Sequence, residues 1–204
     1  MRAVIISGGK VSDYVYIKSF VKTDDLVICA DSGYEHAKKM GISPDIILGD
    51  FDSLSDIPTD IKVLRYPPEK DLTDTEIAVE YAFDNGCKEF LFLGATGGRL
   101  DHELTNIFLM KQISKRSGAA TIIDELNKIR LVTDRLTITE PAGTFISLVP
   151  LTDCKGVTTF NLKFPLNDAD LYVGKGLGVS NEMMDDQAEV IIKEGFLLVI
   201  AARD

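Results

Sequence analysis

The chain has 204 residues, a net charge of −10 and an apolar content of 45%. That length admits one large domain or two small ones, with enough apolar material for a sizeable core. The acidic balance argues against a nucleic-acid scaffold or a membrane-surface binder, since both carry a basic face.

In chain order, residues 3–7 read as a buried strand stopped by Gly8-Gly9. A helix is predicted over 12–21, with Tyr14, Ile17 and Val21 on one face. Residues 26–30 form a second apolar strand that ends in Asp31-Ser32-Gly33. A short helix over 34–40 then stops at Gly41. Residues 46–48 are a third strand and lead into Gly49-Asp50-Phe51-Asp52-Ser53. A fourth, 62–66, precedes Pro67-Pro68 and Glu69-Lys70-Asp71-Leu72-Thr73-Asp74. Thr73 and Glu76 have capping-box spacing, so a helix is expected over 74–85, stopping at Gly86. Residues 90–93 are a fifth strand, followed by Gly94-Ala95-Thr96-Gly97-Gly98-Arg99 and a long helix over 101–116.

Apolar strands alternating with helices imply a parallel sheet covered on both faces, a Rossmann-like α/β arrangement. After residue 119 the pattern changes to short β-rich runs at 119–123, 129–133, 136–139, 144–149, 157–160, 189–192 and 197–202. This reads as an antiparallel β-sandwich or barrel. The domains are placed at 1–124 and 125–204, although 119–123 could instead join the first sheet. Cys29, Cys87 and Cys154 are widely spaced, and only His36 and His102 could join them, so a structural zinc site is not expected. Reduced thiols in a cytoplasmic protein are the simpler reading. The run 3–6 is too short for a signal peptide, and nothing approaches transmembrane length.

Ligands bind at the carboxyl ends of the strands in such sheets. Those ends carry Gly8-Gly9, Asp31, Asp50 with Asp52, Lys70-Asp71 with Asp74, and Arg99 with Asp101. Asp50 and Asp52 are two apart and would point to one side of an extended backbone. As an isolated pentapeptide, Gly49–Ser53 fits a turn better than a metal site. With further carboxylates at neighbouring strand ends, a shared divalent cation becomes the better account, and Mg²⁺ with its preference for oxygen and phosphate fits. No Gly-x-x-x-x-Gly-Lys or Gly-x-Gly-x-x-Gly loop is present. Gly8-Gly9 and Gly97-Gly98 still offer bare amides before helices, and Arg99, Lys70 and Lys10 offer positive charge for phosphate. His102 could place a phosphate, move a proton or cap its helix; Asn106 lies one turn further along the same face. His36 reads as an exposed helix residue with no role.

Five segments then carry a resemblance: Ala30-Asp31-Ser32-Gly33, Gly49–Ser53, Lys70-Asp71-Leu72-Thr73-Asp74, Gly97-Gly98-Arg99-Leu100-Asp101-His102, and Gly178-Val179-Ser180-Asn181-Glu182. In this order and spacing the chain resembles the thiamine pyrophosphokinase family nearly end to end. The resemblance implies an N-terminal α/β catalytic domain and a C-terminal β-sandwich, in a homodimer with active sites formed between subunits. It implies transfer of the pyrophosphoryl group of ATP to the hydroxyethyl oxygen of thiamine, with Mg²⁺, giving thiamine diphosphate and AMP. By the same resemblance Asp31, Asp50, Asp52, Asp71 and Asp74 fall in the metal and ATP-phosphate motifs. Arg99, Asp101, His102 and Asn106 fall in the motif beside the nucleotide, and Ser180 and Asn181 in the one that helps hold thiamine.

Asp71 or Asp101 could accept the alcohol proton, and Asp71, Asp74, Arg99 and Asp101 make up the expected catalytic set. Gly8, Gly9, Asp31, Lys70, Arg99, His102 and Asn106 are expected around the nucleotide. Two positions depart from the family's usual pattern: Ser32 stands where many relatives have Gly, and Val179 where many have Thr. Ser32 matters only if its backbone needs positive φ. Val179 removes a hydroxyl near the expected thiamine site. Competing readings are a diphosphokinase for another alcohol such as a hydroxymethylpterin, a non-catalytic nucleotide or thiamine-diphosphate sensor, and a metal-dependent phosphohydrolase.

Overall fold

Residues 1–51, 61–67 and 71–203 are described by the computed structural model. They divide into two compact units, Met1–Glu125 and Leu126–Asp204. The first carries β1 (Arg2–Ile6), α1 (Tyr14–Lys18), β2 (Leu26–Ala30), α2 (Gly33–Met40), β3 (Ile46–Gly49) and β4 (Lys62–Arg65). It continues with α3 (Asp74–Asp84), β5 (Glu89–Leu93), α4 (Leu100–Lys115) and β6 (Ala119–Ile123).

Its strands lie in the order β6-β5-β1-β2-β3-β4, every neighbouring pair parallel. Ile5 is opposite Ile28 on one side and Phe92 on the other. Val4, Ile6, Val27, Cys29, Ile47, Leu91, Leu93 and Ile123 form one apolar layer with Ile17 of α1 and Tyr34, Ala37 and Met40 of α2. The alternate residues Ala3, Ile5, Ile28, Ile46, Leu48 and Phe92 are fully buried too, so both faces are covered. On that other layer α3 contacts β1, β2 and β3, and α4 contacts β6. Near-continuous apolar strands are the signature of this double coverage.

Local signals behave as their chemistry dictates. Thr73 and Glu76 form a complete capping box at the start of α3. Gly41 ends α2 in the left-handed region at φ 62°. The first helix is shorter than its periodicity predicts. Asp13 caps it by accepting from the Tyr16 N–H. Beyond Lys18, the amides of Ser19, Phe20 and Val21 bond three residues back, so the helix tightens and stops. Residues 119–123, open between two sheets in the sequence, pair parallel with β5. Glu125, assigned by sequence to the second domain, goes with the first, because its carboxylate accepts the N–H groups of Ser12 at 2.5 Å and Asp13 at 2.9 Å.

The second unit has β7 (Asn127–Val132), β8 (Arg135–Thr139), β9 (Phe145–Pro150), β10 (Cys154–Phe160), β11 (Ala169–Leu171), β12 (Asn181–Glu182), β13 (Gln187–Ile191) and β14 (Leu197–Ala202). They form two antiparallel sheets, β12-β9-β14-β7 and β11-β10-β13-β8. Ile146, Leu148, Leu197 and Val199 from one meet Ile138, Val157, Ala188 and Val190 from the other, making a sandwich core. The short strands β11 and β12 went unpredicted, since two or three residues with Asp or Asn among them show no alternation. Cys29, Cys87 and Cys154 are free and buried. No helix among the described residues is long and apolar enough to cross a membrane.

Candidate active site

In the first unit, the chain leaves β1 toward β2 on one side and leaves β5 toward β6 on the other, so β1 and β5 flank a topological switch point. Such points open a crevice at the carboxyl ends of the strands. A cleft of about 400 Å³ lies there, lined by Ser7, Gly8, Gly9, Asp31, Asp74, the 94–99 loop and the first turns of α4.

Two glycine turns interlock at its base. The Gly9 N–H donates to the Gly94 carbonyl at 2.7 Å. A Cβ at Gly9 would meet the Thr96 carbonyl oxygen at 2.3 Å, and one at Gly8 would meet Ser32 Oγ at 2.0 Å. Only glycine lets the loops approach this closely. Ser7 and Thr75, both buried, join their hydroxyls at 3.0 Å and tie the end of β1 to α3. The 94–98 turn has its own braces. Asn106, buried on α4, donates its amide to the Ala95 carbonyl at 2.8 Å, and Thr96 donates its hydroxyl to Asp124 at 2.7 Å. Asn106, expected at the nucleotide, therefore lines the cleft while holding this loop in shape.

Asp31 and Asp74 bring carboxylates to the cleft from different elements. Asp31 follows β2 in the left-handed region at φ 45°, where Asp is tolerated better than most residues. Its Cβ would lie 3.1 Å from a Cβ at residue 49, so Gly49 leaves it room. Ser32 has φ −57°. The strained position is thus Asp31, and Ser32 in place of Gly is conformationally harmless. Asp74 opens α3, where it also complements the helix dipole. Asp50 is half-buried and is not among the residues lining the cleft. Asp71 is exposed and is not among those lining residues either. Asp52 and Lys70 lie outside the described residues.

Arg99 sits at the rim, with its side chain 75% exposed, and forks onto Asp101 through Nε at 3.2 Å and Nη2 at 2.6 Å. Bonding to Arg99 holds the Asp101 carboxyl below the usual carboxylate range, helped by the His102 N–H, and raises the guanidinium in return. Through these bonds Asp101 orients the Arg99 guanidinium. His102 is exposed and lines the cleft. Glu103, missed by the sequence reading, accepts the Gly98 N–H at 2.6 Å, so this amide, expected to face an anion, already has a carboxylate on it.

His36 needs correction too. It is half-buried, with Nε2 at 2.7 Å from the Gly9 carbonyl and Nδ1 at 3.0 Å from the Tyr14 hydroxyl. An apolar-helix reading gives no warning of this, because its partners are far away in sequence.

Among the described residues, no group of three or more His, Cys, Asp or Glu side chains is placed to hold a metal ion. Mg²⁺ asks for less: one or two carboxylates, with water and phosphate oxygens completing the octahedron. Asp31 and Asp74, hard oxygen donors lining one cleft, fit that requirement.

In the second unit, Ser180 is exposed in the left-handed region at φ 57°, with its N–H on Ser147 Oγ at 3.1 Å. Asn181 is 3% exposed. Its Oδ1 accepts the Phe164 N–H at 3.0 Å and its Nδ2 donates to the Phe164 carbonyl at 2.7 Å. Asn181, expected to hold a ligand, clamps two backbone segments together, and Ser180 is the exposed member of the pair. Val179 is 51% exposed.

A family model described as "Thiamin pyrophosphokinase, catalytic domain" matches residues 17–122, and one described as "Thiamin pyrophosphokinase, vitamin B1 binding domain" matches 134–197. The chain is 29% identical to the thiamine pyrophosphokinase of Bacillus subtilis (strain 168), over 98% of each chain. Among solved structures it is similar to thiamine pyrophosphokinase from Bacillus subtilis, with a TM-score of 0.91, 26% identity and 100% of each chain covered. It is also similar to thiamin pyrophosphokinase from Geobacillus thermodenitrificans, with a TM-score of 0.85, 27% identity, and 100% of this chain and 98% of that one covered.

Proposed function

The chain belongs to the thiamin pyrophosphokinase family and is an enzyme of that type; on that premise we propose that it takes the pyrophosphoryl group from ATP in the cleft at the β1–β5 switch point. The match to a vitamin B1 binding domain over 134–197 favours thiamine over another alcohol as acceptor. The observation that carries the placement is the pair of interlocked glycine turns facing Asp31 and Asp74 across one crevice.

In the proposed reaction the hydroxyethyl oxygen of thiamine attacks the β-phosphorus of ATP in line. The new O–P bond forms as the bond to the α-phosphate oxygen breaks, AMP leaves, and the alcohol proton goes to solvent or a phosphate oxygen. Positioning and charge neutralisation are the main tasks of a protein in such a transfer. The braced turns at Gly8-Gly9 and 94–98 shape the phosphate site. Arg99, held in place by Asp101, offers a planar donor fork at the rim. Asp31 and Asp74 would hold Mg²⁺, with Asp50, Asp52 and Asp71 as the remaining members of the acidic set. When bound, the ion would neutralise charge on the phosphates.

The proposal includes a homodimer whose active sites are completed across the subunit interface. It is supported by Leu100, Leu104 and Phe108, exposed large apolar residues recurring every four positions along α4. A cytoplasmic location is supported by the three buried free thiols.

The decisive experiment incubates the purified protein with ATP and Mg²⁺, with and without thiamine. Equal amounts of AMP and thiamine diphosphate are expected, and only with thiamine present. ADP or free phosphate as the nucleotide-derived product would sink the pyrophosphoryl-transfer reading.

A further inference from the structure

His36 lies outside the cleft lining, yet it holds the backbone that forms the cleft's base. Its partner at Nε2 is a carbonyl, which only accepts, so Nε2 carries the proton and donates to Gly9. Nδ1 is then bare and accepts from the Tyr14 hydroxyl. Burial depresses the pKa of the ring, and Lys39 adds to this against the pull of the Gly9 bond and of Glu125 and Glu35. The neutral form that this arrangement uses is therefore the favoured one near neutral pH.

Gly9 is held from both sides, its N–H on the Gly94 carbonyl and its C=O under His36. The peptide joining Gly9 to Lys10 is planar and trans, so its carbonyl and the Lys10 N–H point in opposite directions. A flip of that peptide turns ψ of Gly9 and φ of Lys10, and glycine, lacking a Cβ, resists its half of that rotation less than any other residue. A flip would release a carbonyl oxygen, with its partial negative charge, beside a cleft meant for a polyanion. Turns that bind anions work by aiming N–H groups and keeping carbonyls away.

We infer that His36 is a positioning residue for the phosphates of the nucleotide: with Tyr14 fixing its tautomer, it pins the Gly9 carbonyl toward α2 and keeps that oxygen from turning into the cleft. This rests on the cleft being the nucleotide site. It assigns His36 no contact with substrate.

The test measures ATP affinity by calorimetry with Mg²⁺ and without thiamine, alongside the KM values for ATP and thiamine, in the full-length protein. His36→Ala is expected to weaken ATP binding roughly three- to tenfold, the effect of one lost hydrogen bond. The thiamine KM stays where it was. His36→Gln, whose amide can donate to the same carbonyl, is expected to recover most of the loss, and Tyr14→Phe to fall between. Unchanged ATP affinity in His36→Ala overturns the inference, as does a parallel rise in both KM values that His36→Gln fails to rescue. Should His36→Ala not fold, the remaining two variants decide: Tyr14→Phe weaker than His36→Gln supports the inference, and both at the unsubstituted affinity overturn it. If the unsubstituted protein binds no ATP, the nucleotide assignment of the cleft falls, and this inference falls with it.

Discussion

Gly8, Gly9 and Gly94 in the first unit and Gly174 and Gly176 in the second all occupy turns, but only the first set is closed in. A Cβ at Gly9 or Gly94 would lie 2.3 Å or 2.4 Å from a backbone carbonyl oxygen of the facing loop, whereas nothing lies within 4 Å at Gly174 or Gly176. Around the first set, His36, Asn106 and the Thr96–Asp124 bond fix the turns in place. Around the second, Tyr172, Val173, Leu177 and Val179 are all exposed. The same residue thus answers two different demands. In the cleft it permits backbone to touch backbone, which fixes the shape of the cleft's base. In the 172–180 segment it stands in open space next to exposed apolar side chains.

Gly9→Ala is the harshest way to break this contrast. Both nearest atoms are backbone carbonyl oxygens, so no flexible side chain can swing aside. Overpacking of this kind costs about 1–3 kcal/mol, and the upper end is expected here. Thermal unfolding should register the loss, and ATP binding should fall with it. Wild-type stability and affinity together would mean the two turns are not interlocked.

Asn181→Ala tests the second region from its fixed end. The substitution removes two part-buried hydrogen bonds to the Phe164 backbone, each worth about 0.5–1.5 kcal/mol. A loss of about 2 kcal/mol in denaturant unfolding is expected. Ser180→Ala removes only an exposed hydroxyl, so it should leave stability within about 0.5 kcal/mol and raise the thiamine KM. If the two variants exchanged these signatures, the buried amide would be the ligand group and Ser180 the clamp.

What could be read in advance follows the range of the interaction. The parallel sheet, the capping box at Thr73 and the stop at Gly41 are local or periodic signals, and they are where the sequence places them. Asp31, Asp74, Arg99 and His102 reach one cleft because strand ends in such a sheet converge. The contacts that could not be read in advance depend on distant partners. His36 meets Gly9, 27 positions away, and Asn181 meets Phe164, 17 positions away. Asp101 pairs with Arg99 only two positions off, but both alternatives, base or partner, fit the same text. The positive φ belongs to Asp31 where the sequence drew attention to Ser32, because a Gly-to-Ser departure is visible and backbone strain is not.

The gentlest probe is Gly176→Ala, and it sharpens the contrast most. Its Cβ has open space, and Gly176 is not among the residues with positive φ. Alanine there narrows the unfolded ensemble without native strain, so stability should stay level or rise by up to about 0.5 kcal/mol. Gly174 is the internal control. At φ 80° alanine is strained there whatever the space, at about 1 kcal/mol. Equal costs at the two sites would mean that Gly176 is constrained in some way its open surroundings do not reveal. A fall in thiamine turnover in Gly176→Ala with stability held or raised would separate flexibility from folding. It would give the 172–180 segment a part in turnover, whereas the cleft glycines act by letting two turns pack closely.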